Sequence, residues 1–118
     1  MLADPLGDAL LSDLRRTIEK LEKLRDKASE INNYYLLEAV DSWRPVMYNI
    51  YSRMNTLVED LYRNPYAAEF SACGLMNEID SAIQRYHSNR YSYLSGYLTR
   101  LLLRIREYAR QLCEENSI

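Results

Sequence analysis

The chain has 118 residues, 47% hydrophobic and 27% charged, a length and balance that describe one globular domain over residues 1–118 rather than a disordered chain. Three glycines and three prolines cannot supply the corners of a many-stranded sandwich or barrel, and no apolar run approaches the roughly 18 residues of a bilayer span, so an all-β fold and a membrane-spanning one are excluded. The net charge of -2 conceals a split: residues 1–80 carry 9 basic and 14 acidic side chains, whereas residues 81–112 carry six arginines against Glu107 alone.

Asp4 before Pro5 is a helix start, because an Asp side chain accepts orphan amides and proline at N1 lacks the donor that would go unsatisfied; Gly7 leaves the first turn open. Leu11, Leu14, Ile18, Leu21, Leu24, Ala28 and Ile31 then recur at three- and four-residue steps, with Arg15, Arg16, Glu19, Lys20, Glu22, Lys23 and Asp26 on the other face. This spacing predicts an amphipathic helix ending near Asn32-Asn33, its charged face simply solvated. Leu36, Val40, Trp43, Met47, Ile50, Met54, Leu57 and Leu61 form a second, heptad-like seam with Pro45 inside it. Proline removes an amide and crowds the preceding turn, so the alternatives are a kink near Ser42–Pro45 or a fresh helix; the seam keeps phase across it, which favours the kink. Asn64-Pro65 stops that helix and starts another, with Asn64 as cap. The third segment places Tyr66, Phe70, Cys73, Met76, Ile79, Ile83 and Tyr86 on one face. The fourth places Leu94, Leu98, Leu101, Ile105, Tyr108 and Leu112 together, widened by Leu102 and Leu103. Between them lies His87-Ser88-Asn89-Arg90, polar but without Gly or Pro. A continuous helix from Leu75 to Cys113 would run about 58 Å, so either the chain breaks near Ser88 or one long C-terminal helix makes the molecule elongated and in want of a partner.

The predicted fold is all-α: an antiparallel bundle of four to five amphipathic helices. Cys73 and Cys113 are too few for a disulfide framework or a structural zinc site, and read as two small, partly buried apolar residues rather than a redox pair. The start Met1-Leu2-Ala3-Asp4-Pro5 has no basic head before an apolar block; the expectation is a soluble, intracellular protein, cytoplasmic or of the nucleoid or nucleus. With His87 the sole histidine, no paired carboxylate and histidine spacing exists for a bundle metal site, and there is no Gly-rich phosphate loop or nucleophile elbow. No catalytic residue, metal or cofactor is expected. Leu11-Ser12-Asp13-Leu14-Arg15 with Ile18 resembles the first helix of an all-helical chorismate mutase, but the later basic spacings that would grip a dicarboxylate are missing.

Eleven of the thirteen aromatic residues are tyrosine, and Tyr86, Tyr91, Tyr93 and Tyr97 crowd near Arg85, Arg90 and Arg100. Phenols suit half-buried interface positions, and the same mixture could grip phosphates and stack bases; interface packing is the favoured reading. Gly96, mid-helix, marks a close crossing. The run Ser95-Gly96-Tyr97-Leu98-Thr99-Arg100-Leu101-Leu102-Leu103-Arg104-Ile105-Arg106-Glu107-Tyr108 resembles the signature helix of the helical domain of GINS replication subunits, the Sld-five and archaeal type especially. Tyr97, Leu98, Leu102, Arg104, Ile105 and Tyr108 fall on matching positions, while Thr99 and Leu101 stand where the family usually has arginine. The resemblance covers about fourteen residues closely and the preceding helices loosely. It implies a helical domain, on its own or as a short divergent subunit, in a four-subunit assembly that bridges the replicative MCM helicase and a RecJ-like partner. It also implies that the six matching residues contact partners.

Two surface expectations follow. Residues 86–108 present more apolar surface than one stripe can bury, so the chain self-associates or docks a helical protein partner there. The arginines of the fourth segment form two rows, Arg100 with Arg104 and Arg106 with Arg110. They either pair with the acidic first 80 residues, at Glu59, Asp60 or Glu69 for example, or join Arg85 and Arg90 in a patch for an acidic partner or, secondarily, nucleic acid.

Overall fold

Asp4 opens the first helix as its neighbours require. In the computed structural model, which describes residues 4–86 and 92–115, its carboxylate accepts the Gly7 amide at 3.2 Å, Pro5 takes the first helical position, and α1 runs Pro5–Glu30. Gly7 is needed for a close approach: a Cβ there would stand 2.5 Å from the Tyr108 hydroxyl oxygen of the last helix. Leu10, Leu11, Leu14, Ile18, Leu21 and Ala28 form the buried face. The helix ends through Asn32, which adopts the left-handed φ of 55°, a conformation its short polar side chain tolerates. The Asn33 amide reaches back to the Ala28 carbonyl at 2.9 Å.

Asn33 then caps α2 (Tyr34–Arg63), its side-chain oxygen accepting the Leu36 amide at 3.1 Å. Replacing this cap by alanine removes that acceptor; Asn33→Ala is expected to lower stability by about 1 kcal/mol, read as a lower urea midpoint with an unchanged slope. The α2 seam is as predicted, with Val40, Trp43, Met47, Ile50, Met54 and Leu57 fully buried. Pro45 starts no fresh helix: α2 continues through it. The proline is exposed, and the same seam stays buried on both sides of it, so packing holds the helix across the missing amide.

Asn64 ends α2 with its amide on the Asp60 carbonyl at 2.8 Å, and its backbone carbonyl, where a side-chain cap was expected, accepts the Ala67 amide at 2.9 Å. The face expected of α3 (Pro65–Tyr86) is corrected in part. Ala68, Ala72, Leu75, Ile79 and Ala82 are buried, while Tyr66 and Phe70 are 90% and 82% exposed. Ile79 lies in the core and Met76 and Ile83 pack against it as expected; at the start of the helix the small residues Ala68 and Ala72 turn inward instead, about one residue or ~100° from the predicted stripe.

α4 (Ser92–Glu115) buries Leu98, Leu101, Leu102, Ile105, Tyr108 and Ala109. Each helix packs along its predecessor, and α1 and α4 close the bundle more loosely. The four helices share one core within 50 × 24 × 17 Å. α3 and α4 are separate helices lying side by side, so the alternative of one long C-terminal helix is set aside; the polar break His87–Arg90 lies outside the described residues.

The antiparallel pairing of α3 and α4 brings Cys73 level with Cys113, their Cα atoms 5.0 Å apart, and the two form a disulfide. Both cysteines are partly buried as expected, and the reading that they do not form a redox pair is corrected. The residues are 40 apart in sequence, and only the bundle geometry makes them neighbours.

Candidate interaction surface

The amphipathic pattern of α4 divides the six residues of the family resemblance between core and surface. Leu98, Leu102 and Ile105 are fully buried, and Tyr108 is 6% exposed. The side chains of these four pack into this chain's own core. Tyr97, 48% exposed, and Arg104 remain at the surface. Of the two leucines that widen the α4 stripe, Leu102 is buried and Leu103 is 49% exposed. Among the described residues of that span, the large apolar side chains left exposed are Tyr93, Tyr97 and Leu103.

Tyr108 closes one end of the bundle. Its hydroxyl donates to the Asp4 carboxylate, and nearby Tyr62 donates to Asp8 at 3.3 Å. Burial first, then the Asp4 carboxylate, holds the Tyr108 phenol well above its ordinary value of 10.0. A raised folded-state pKa means that the folded chain keeps a proton the unfolded chain releases. This stabilisation is complete below pH ~10 and is lost as the pH climbs above it. Urea midpoints are accordingly expected to fall from pH 9 to 11, and Tyr108→Phe, lacking the titrating group, to fall less steeply over that window.

Three of the four arginines in the α4 rows are committed. Arg106 grips Asp80 through two nitrogens at 2.5 and 3.1 Å, Arg110 pairs with Glu107 and Glu114 at 2.5 and 2.6 Å, and Arg104 meets Asp13 at 3.2 Å. The hydrogen bonds to Asp80 and to Glu107 raise the pKa values of Arg106 and Arg110, and Arg110 in turn lowers that of Glu107. Glu59, Asp60 and Glu69 are not among these partners; Asp60 accepts from Ser71 instead, at 2.5 Å. Arg100 donates to the Gly96 carbonyl at 3.2 Å and has no carboxylate partner among the described residues. Arg85 is exposed, and Arg90 lies outside the described residues. A continuous patch of three unpaired arginines in these rows is thus absent, because helix-to-helix and one-turn carboxylates take their heads.

What the packing does create is a cleft where α1 and α4 lie least tightly together. Arg16 and Lys20 of α1 face Arg100 and Arg104 of α4 across a volume of about 540 Å³, with Thr17, Leu101 and Tyr97 also lining it. Asp13 bridges Arg16 at 2.7 Å and Arg104 at 3.2 Å. An adjoining apolar slot of about 110 Å³ lies between Leu21 and Leu24 on one side and Leu94 and Leu98 on the other, sharing Thr17, Lys20 and Tyr97 with the cleft. Sequence reasoning missed Arg16 and Lys20, which read as an ordinary solvated face; their one-turn spacing, matching Arg100 and Arg104, was the available signal. No group of three or more His, Cys, Asp and Glu side chains suited to a metal ion occurs among the described residues. No described helix is long and apolar enough to cross a membrane. No family model matches the chain, and no curated protein or solved structure shows significant similarity to it.

Proposed function

We propose that the chain is a non-enzymatic helical interaction scaffold, a GINS-like subunit of the replicative helicase machinery. One observation carries the reading: the segment Ser95–Tyr108, which resembles the GINS signature helix, segregates cleanly in α4. Its apolar matching positions build the core, while Tyr97 and Arg104 lie at the mouth of a cationic cleft. A helix whose apolar face holds the domain together, and whose polar edge lines a groove, has the organisation a multi-subunit scaffold needs. The test is isolation of the tagged full chain from its native cell after crosslinking. Stoichiometric co-elution with MCM helicase subunits and further GINS-type chains is the expected result. A stoichiometric complex without helicase components removes the replication assignment, and an isolated chain removes the scaffold reading. Turnover of chorismate by the purified protein would overturn the non-enzymatic part.

A second reading, binding of single-stranded nucleic acid, draws on Lys20 and Arg100, cations beside Tyr97 without an acidic partner among the described residues. It requires affinity that drops steeply with salt, since each neutralised phosphate releases counterions, whereas a protein partner held partly by apolar contact responds weakly.

A further inference from the structure

The α1–α4 cleft has features that a merely solvated surface does not need. Four cations, Arg16, Lys20, Arg100 and Arg104, converge on it against one carboxylate, Asp13. Neither Lys20 nor Arg100 has an acidic partner among the described residues, although the other α4 arginines from 104 to 110 all have one. The cations form two rows, one on each wall, and within each row the residues stand four apart, about 6 Å along the helix axis. The slot beside them is apolar, and Tyr97 stands half-exposed where slot and cleft join.

We infer that this cleft docks an acidic amphipathic helix of a partner protein, whose carboxylates, one turn apart on each flank, pair with the two cation rows while a Leu or Ile side chain fills the apolar slot. The proposal rests on the scaffold reading and names the chemistry of its partner. Charge and spacing argue for this occupant. Glu or Asp residues at i and i+4 on a docked helix repeat at the same 6 Å as the rows they meet. The lining residues from Asp13 to Leu24 extend about 17 Å, the length of three helical turns. An apolar strip with flanking charges is the usual arrangement of a helix bound in a groove. Nucleic acid fits less well. A phosphodiester strand has no aliphatic side chain for the slot, one tyrosine offers a single stacking surface, and the acidic residues 1–80, with 14 acidic against 9 basic side chains, would repel a strand continuing beyond the cleft.

The probe is a fluorescein-labelled, lactam-stapled helix of about 12 residues, carrying a Leu stripe flanked on both sides by Glu pairs one turn apart, titrated against the full chain. Saturable binding is expected, with resonance changes at Thr17, Lys20, Tyr97 and Leu101. The double variant Lys20→Glu/Arg100→Glu should weaken it by about tenfold or more. A probe with Lys for Glu should bind that variant and not the original chain, a swap that general surface charge would not produce. Both substituted side chains are exposed, and an unchanged circular-dichroism melt confirms folding. The proposal is overturned if the Glu probe fails to saturate up to about 1 mM, if the double variant binds it equally, or if an oligothymidylate strand occupies the same residues more tightly than the probe. Failure here is distinct from failure of the scaffold reading: a complex isolated intact with the Lys20→Glu/Arg100→Glu chain keeps the scaffold and removes the cleft.

Discussion

Reduction of the Cys73–Cys113 disulfide should lower the stability of the chain by about 4 kcal/mol, the chain-entropy value for a loop of this size. The bond closes a 40-residue separation that includes most of α3 and α4, so in the unfolded chain it suppresses a large set of open conformations. In the folded chain it ties the last turns of α4 to α3. Nearby, Arg110 pairs with Glu107 and Glu114 on α4 itself, and these two pairs do not reach α3. Thermal unfolding with and without dithiothreitol measures the effect, which corresponds to a fall in Tm on the order of 10–15 °C. The variant Cys73→Ala/Cys113→Ala should start near the reduced value and lose its sensitivity to reductant. A Tm that reductant leaves unchanged would show that the bond contributes nothing in solution.

This bond bears on where the protein would work. Disulfides persist in oxidising compartments and are kept reduced in cytosol and nucleus. A replication subunit would therefore carry Cys73 and Cys113 as thiols at the α3–α4 seam, and its working stability would be that of the reduced chain. The fully buried core is larger than this contact: Trp43, Met47, Leu75, Leu102 and Ile105 pack together away from solvent, and Cys113 only borders them. The reduced bundle is expected to remain helical, with its loss concentrated at the C-terminal turns of α4.

What was legible in the sequence follows from which forces are local. The Asp4-Pro5 start, the Asn32-Asn33 turn and the α2 seam are set by neighbours in the chain, and each forms where the spacing placed it. The buried face of α3 was legible only in part by the same rule, at Ile79 with Met76 and Ile83 beside it. Beside Leu75 and Ile79 its core side carries Ala68, Ala72 and Ala82, whose small size matters only because other helices come close, while Tyr66 and Phe70 dominate any count based on bulk. Ion pairing is still less local. Arg106 with Asp80 and Arg104 with Asp13 are joined by the order of helices around the bundle, as are Cys73 with Cys113 and the two walls of the cationic cleft. A pattern read along one helix identifies which side chains are available, and the packing of two helices decides which of them meet.

The face assignment of α4 is open to a direct test through two adjacent leucines. Leu102→Ala should destabilise the chain by about 2–5 kcal/mol, because it removes a fully buried side chain and leaves a cavity that the surrounding helices fill only in part. Leu103→Ala, at a position 49% exposed, should change stability by no more than about 0.5 kcal/mol. Urea denaturation followed by the fluorescence of Trp43, the sole tryptophan and itself buried in the same core, reports both. The contrast separates two meanings of the GINS resemblance. If Leu102 contributes by packing inside the domain, its truncation lowers stability first and partner binding only as the fold is lost. If it contributes by touching a partner, Leu102→Ala stays as stable as the original chain and loses binding alone. A reversed order, with Leu103→Ala the costlier change, would mean that α4 is turned by one residue, about 100°, and that the cleft residues Arg100 and Arg104 face elsewhere.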